Sequence, residues 1–503
     1  MTEAIEVLIV GAGASGLTLA IDLQRRGVNY RIIELAAQGF EGSRAKGVQP
    51  RTLEVFDDLG ALDRLESRAM LYPPLRIHLG PLKLKRTMFK HHEPTTDTPH
   101  ANTLLAPQYA TDASLRERLE ELGGHIEYGT RLESYTQNEQ RVTAQTSRSD
   151  GSQETIHSRF LIGADGGSSS VRRGAGIRFE GSTNEADRMI VADLNLRGLS
   201  RDRWHVWPKL KGRFVALCPL PDGRFQLMLK LREDDPTSFD SAAVKDLAST
   251  VLRSTKVEVD EVLWSSVWRP NIRLAERYKS GNVFLVGDAA HVHPPTGAQG
   301  LNTGVQDAYN LGWKLGQVLA GAPDLLLDTY EAERQPVAAR VLGLATGLYS
   351  HLSDKPLEAT KRGDEERQLL LNYRGGPLAP EVDDQDAGVQ AGDRAPDAPI
   401  FGLDSQCASL FSAFRGPHFT LITIGDQANA QARALVPNAA GAEVKLITLD
   451  PKGNSDFRDI YGIDEEAVLL VRPDGYIASV QRSPLSQLQK LSTLPLFPSQ
   501  ANS

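Results

Sequence analysis

Glycine turns cut the first part of this chain into short apolar runs, and the spacing of those runs predicts its elements. Ile5-Glu6-Val7-Leu8-Ile9-Val10 is a near-continuous apolar run closed at once by glycine, the pattern of a short buried strand. Gly11-Ala12-Gly13-Ala14-Ser15-Gly16 then leads into helical periodicity over 17–24, stopping near Gly27. Tyr30-Arg31-Ile32-Ile33-Glu34 reads as a second strand. Such a strand–helix–strand unit sets its strands parallel through a right-handed crossover. A helical pattern over 115–122 ends at Gly123-Gly124 before a strand pattern over 125–128, and 161–167 again reads as strand then turn. From about 175 to 275 the texture changes to period-two alternation, as at 214–217 and 225–229 around Pro221-Asp222-Gly223. This predicts an inserted antiparallel sheet, after which the apolar run 283–286 returns to the first domain. A long helical pattern spans 324–372 with a break expected at Pro336, and 376–398, rich in Gly, Pro, Asp and Ala, reads as linker. Strand patterns at 419–422, 444–447 and 468–471 then alternate with helical ones.

The fold class that follows is α/β. A Rossmann-like domain is expected over 1–175 and 276–375, interrupted by a sheet domain over 176–275 and followed by a further domain over 390–503. A length of 503 residues agrees, being too long for one core. The net charge of −8 argues against non-specific nucleic-acid binding. Cys218 and Cys407 are far apart and form no CxxC, which excludes a disulfide framework or thiolate metal site. No apolar run reaches the ~18 residues of a membrane span, and 5–10 does not read as a secretion signal. A cytoplasmic protein is expected.

Three segments carry chemistry. Gly11, Gly13 and Gly16 form GxGxxG between a strand and a helix: the first glycine permits the turn, the second admits a pyrophosphate, and the third packs helix on strand. Glu34 closes the next strand, where an acid can accept from a ribose, so NAD or FAD suits this site better than NADP. The second segment is the turn Gly163-Ala164-Asp165-Gly166, in which Asp165 is either a ligand contact or an Asx-turn cap. The third runs from Gly287-Asp288 through His291, His293, Pro294-Pro295 and Gly300-Leu301-Asn302 into a helical pattern from Thr303. Free amides and the dipole of a helix N-terminus suit a ligand gaining negative charge. His291 and His293 lack a third ligand, which favours a structural role over metal binding.

Taken in order, these segments resemble the single-component FAD-dependent aromatic hydroxylases, in the branch of phenol and polyketide hydroxylases, over roughly residues 5–345. The resemblance implies bound FAD contacted by Gly11, Gly13, Ala14, Ser15, Gly16, Glu34, Arg44, Gln108, Asp165 and Asp288. Pro295 would lie near the flavin carbon where oxygen adds, with Gly300, Leu301 and Asn302 at the pyrimidine end. It also implies transient NAD(P)H, since only one dinucleotide fingerprint is present, and hydroxylation of a small aromatic, phenolic substrate by O2 through a flavin hydroperoxide. Alternatives are oxygen insertion or hydroxylation on a polyketide or antibiotic, the FxGxxxHxxxW of ketone monooxygenases being absent, and a non-catalytic binder. The residue that deprotonates the phenol is not legible; His205 and Tyr109 are candidates only. Trp204-His205-Val206-Trp207-Pro208 lacks the spacing of the halogenase tryptophan motif and reads as a sheet strand lining a pocket or filling core. The segment from Gly392 resembles a thioredoxin-like domain without CxxC, expected to act as scaffold or dimer contact in a monomer or homodimer.

Overall fold

The computed structural model describes residues 5–294, 297–354, 363–380, 388–401, 408–435, 443–463, 465–482 and 496–497, with backbone only for 348–354 and 432–435. The strand Ile5–Val10 lies inside the first sheet, parallel to Tyr30–Ile33 on one side and to the end of Gln153–Gly163 on the other. Val283–Leu285 extends the sheet, again in parallel. The chain therefore leaves the sheet after Gly163 and re-enters it more than a hundred residues later. Buried on both faces, these strands consist almost wholly of apolar residues. Helix Ala14–Arg25 packs against helices Gln108–Glu121 and Gly300–Leu319. The 125–128 pattern contributes only a bridge between Ile33 and Glu127, because Gly129, at φ +63°, turns the chain away.

The second sheet runs in the order Glu258–Trp268, Met189–Arg197, Phe225–Lys230, Arg213–Pro219, Trp204–Leu210, Leu75–Leu79, Leu82–Arg86. Its pairings are antiparallel except where Trp204–Leu210 meets Leu75–Leu79. Two of its strands thus come from before residue 90, outside the expected insert, although Leu75-Arg76-Ile77-His78-Leu79 alternates as a strand should. One face is closed by helix Ser241–Leu252, whose first turn is capped by Asp240 accepting from Ala243 N at 2.8 Å. The opposite face looks towards the first sheet's domain.

Helix Asp328–Asp354 runs straight through Pro336, where a break was expected. A proline inside a helix costs about 3 kcal/mol. Here Glu333 and Arg334 just before it are buried in ion pairs that hold the helix in place. The helical pattern beyond residue 363 survives only as a 3₁₀ turn at Glu365–Arg367 among the described residues. The expected linker is partly built into the fold, since Asp393 bridges Asn372 and Arg394 pairs with Glu54. A last sheet has the order Val444–Leu449, Phe419–Ile424, Ala467–Val471, Ile477–Arg482, with the first pair parallel and the rest antiparallel. No described helix is long and apolar enough to cross a membrane.

Candidate functional site

The three glycines of the loop have distinct surroundings. A side chain at Gly11, which sits at φ +105°, would overlap the carbonyl of Ala164, and one at Gly16 would overlap the carbonyl of Gly11. At Gly13 a side chain would meet nothing within 4 Å. Two glycines therefore allow backbone to pack on backbone, while the third opens onto space at the N-terminus of helix Ala14–Arg25. That space, faced by main-chain amides, fits a pyrophosphate. Ala14 is buried, and Ser15 packs where a side chain on Gly287 or Gly304 would collide with its Oγ. The first segment thus touches the second at Ala164 and the third at Gly287.

Glu34 is fixed at the end of its strand by two amides, Ala12 N at 2.8 Å and Ala36 N at 2.9 Å. Asp288 is exposed although its neighbours Gly287 and Ala289 are buried, so its carboxylate is left to the open side of the turn. Asp165 caps its turn with one oxygen and leaves the other unpaired. Its Oδ2 accepts from Ser170 N (2.7 Å), Ser170 Oγ (2.8 Å) and Val171 N (3.2 Å), while its Oδ1 is buried with no hydrogen-bond partner. A buried unpaired acceptor of this kind fits a donor on a bound ligand. Arg44 is exposed, with its guanidinium 5.5 Å from the Phe40 ring centroid. Gln108 opens its helix and donates to Asp112 at 3.4 Å, and burial pushes the Asp112 carboxyl up to about 7.

Helix Gly300–Leu319 begins three residues earlier than its periodicity suggested. Its first internal bond runs from Thr303 N to Gln299 O at 2.9 Å. The amides of Gly300, Leu301 and Asn302 precede that bond and are the donors a flavin edge would meet. The Asn302 side chain does something else. It donates to Gly47 O (2.9 Å) and Ala298 O (2.6 Å) and accepts from Gln49 N (2.8 Å), stitching the strand Gly47–Val48 and the residue after it to the turn before the helix. Pro295 lies outside the described residues.

Sequence reasoning missed the residue that fastens this turn. Asp307, fully buried, accepts from Gly287 N (3.2 Å) and Arg334 Nε (2.8 Å) and pairs with His291 Nε2 at 2.6 Å. Arg334 and the His291 hydrogen bond hold its carboxyl below the usual range against the cost of burial. An acid set among Val305, Ala308 and Leu311 of the helical pattern was the available signal. His291 is thereby a structural residue. His293 Nδ1 donates to Pro294 O (3.0 Å), and no group of three metal-ligating side chains exists among the described residues.

The two candidate bases are placed elsewhere. His205 pairs across the sheet with Leu217 and lies 3.0 Å from His78 on the face turned away from the flavin turn. Tyr109 donates to Asp222 at 2.6 Å, and burial and that carboxylate push its phenol above the ordinary range, which disfavours the phenolate a base would need. Within the Trp204–Leu210 strand, Trp207 fills the core under the helix, whereas Trp204 is on the face towards Lys46, whose Nζ lies 4.6 Å from its ring centroid.

Residues 4–345 match the family described as FAD binding domain. A flavin-dependent monooxygenase of Mycobacteroides abscessus is 39% identical over 97% of this chain and 99% of its own. The 6-methylpretetramide 4-monooxygenase of Streptomyces rimosus is 35% identical, covering 98% of this chain and 94% of its own. The crystal structure of the flavin-dependent monooxygenase PieE with FAD and substrate superimposes with a TM-score of 0.83 at 26% identity, covering 98% of this chain and 99% of that one. With the open cradle at Gly13 and the amides of 300–302 in place, the chain belongs to the FAD-binding, flavin-dependent monooxygenases.

Proposed function

We propose that the protein hydroxylates an electron-rich aromatic ring, phenolic or part of a polyketide, using NAD(P)H and O2. Bound FAD supplies the redox chemistry, taking reducing equivalents from NAD(P)H and delivering oxygen to the ring. The chain's own contribution is position and charge. Gly13 and the start of helix Ala14–Arg25 hold the pyrophosphate, Glu34 the ribose and Asp288 the ribityl chain. The amides of Gly300, Leu301 and Asn302 would stabilise negative charge on a flavin ring bound there.

The observation that carries this reading is the sheet face beside the 297–302 turn. A side chain on Gly47 would touch Ala298 and come within 3.6 Å of Tyr72 Cε2, so turn, strand and aromatic residue are neighbours. Trp264, Met228, Phe214 and Tyr72 stay partly exposed on this face, while the other face is buried under its helix. An aromatic, partly open surface next to the flavin amides suits a flat ring. The likeness to an enzyme acting on 6-methylpretetramide supports the polyketide choice. We further read the last sheet as a thioredoxin-like scaffold, the chain as a monomer or homodimer, and transient nicotinamide binding over the flavin. The test is NAD(P)H oxidation and O2 uptake by the FAD-loaded protein across phenols and polyketides, with product mass. A gain of one oxygen atom is expected, and oxidation without product for every compound would overturn the reading.

A further inference from the structure

Lys46 is enclosed by protein yet not fully covered, and it directly precedes Gly47, where a side chain would meet Ala298 of the flavin turn and Tyr72. Its neighbours hold it in one place. Nζ donates to Gln226 Oε1 and sits over the Trp204 ring at 4.6 Å. Gln226 Nε2 donates to Ser43 O and, at 2.6 Å, to Ser43 Oγ. Ser43 in turn donates through N (2.9 Å) and Oγ to Asp193. The chain Lys46–Gln226–Ser43–Asp193 thus ends on a carboxylate already satisfied by other donors, and among the described residues no carboxylate forms an ion pair with Lys46. An enclosed cation without a counter-charge is costly, and so is an amine whose remaining hydrogen-bonding capacity is unused.

We propose that Lys46 is the substrate-recognition and proton-accepting residue, taking the proton of a phenolic or enolic O–H and then pairing with the oxygen anion. This rests on the hydroxylase reading and narrows its substrates to those with an ionisable ring oxygen. In the step, the substrate O–H bond breaks and a bond forms from that proton to the free amine at Nζ, so the oxygen keeps the electron pair and the ammonium remains beside it. Gln226 Oε1 and the Trp204 face stabilise that ammonium. The oxygen anion raises the electron density of the ring, which is what attack on an electrophilic oxygen requires. The titratable groups facing Lys46 are Asp193 and Cys218, both on the sheet, with Arg224 acting on Asp193. Burial pushes the Cys218 thiol up to about 12, so it stays neutral, and burial also lowers the Lys46 ammonium, which makes the free amine accessible.

The experiment titrates alizarin, whose phenol changes colour on ionisation, against the FAD-loaded protein, with anthraquinone as the probe lacking the O–H. Bound alizarin is expected to ionise about one pH unit or more below free alizarin. Lys46→Met should abolish that shift and weaken alizarin about tenfold or more, while leaving anthraquinone binding and FAD content unchanged. Lys46→Arg, a permanent cation, should keep the bound dye anionic throughout the pH range in which the unaltered protein does so. An anionic dye of unchanged affinity in Lys46→Met, a neutral dye in Lys46→Arg, or alizarin binding no better than anthraquinone in the unaltered protein would each overturn the assignment. Should Lys46→Met not fold, the Arg variant alone decides. Product formation is scored separately, so an ionised dye without turnover would sink the hydroxylase reading and spare the site, and turnover without the shift would do the reverse.

Discussion

Two enclosed lysines, one at each end of the cofactor domain's polar interior, are treated in opposite ways. Lys314 is completely buried near the far end of helix Gly300–Leu319, with Nζ 2.7 Å from Glu333 Oε2. Arg472 from the last sheet's hairpin binds the same carboxylate at 2.6 Å and also pairs with Asp474, and Asn310 donates to Glu333 at 2.7 Å. Every charge there is answered, and the cluster ties the C-terminal module to the cofactor domain. Lys46 has an amide oxygen and an aromatic face instead. Buried charge that is neutralised internally serves architecture, while buried charge left with a neutral partner is available to a ligand.

The largest break in this comparison is expected from Glu333→Ala, which strands Lys314 and leaves Arg472 with Asp474 alone. A loss of about 3–5 kcal/mol in denaturant unfolding follows from removing one partner of a buried ion pair. The same carboxyl gives a pH signature. Arg472 and Lys314 hold it down to about 2 from its ordinary 4.5, against the cost of burial. Its contribution is present in full above 4.5 and is lost as pH falls from there towards 2. Stability measured across that window should fall more gently in Glu333→Gln than in the unaltered chain, and equal slopes would show that the cluster does not act through this charge.

The cofactor side should respond in binding more than in stability. Gly16→Val overpacks the loop and should cost about 1–3 kcal/mol in unfolding. Gly13→Val should leave stability within about 0.5 kcal/mol yet prevent FAD retention through gel filtration. A melted Gly13→Val protein would deny the open cradle. Asn302→Leu strips the bonds between residues 47–49 and the flavin turn, with an expected loss of about 2 kcal/mol and weaker flavin fluorescence quenching. The smallest effect belongs to Tyr109→Phe, at about 1 kcal/mol or less, with substrate oxidation unaffected. A large fall in turnover there would return Tyr109 to the site.

Local elements were readable in advance because their signals are local. The βαβ unit at 5–34, the strands at 214–217 and 225–229, and the turn at Asp288 all follow from periodicity and glycine spacing over a few residues. The strand Leu75–Leu79 had the right alternation but no local mark of its partner, which arrives from more than a hundred residues downstream. Pro336 carried a breaking signal that buried ion pairs of Glu333 and Arg334 just before it outweighed. His205 and Tyr109 were plausible by residue type alone, and strand parity and a neighbouring carboxylate set them aside.

Sequence alone determined the dinucleotide turn and the helix-start anion site, since both are made by contiguous backbone whose geometry glycine and acid positions encode, and the choice of FAD over NAD came from the resemblance to a family. Tertiary structure alone decided which charges are spent on architecture and which remain open. The reason is that a lysine's state depends on what faces it, and for Lys46 and Lys314 those faces come from segments far away in the chain.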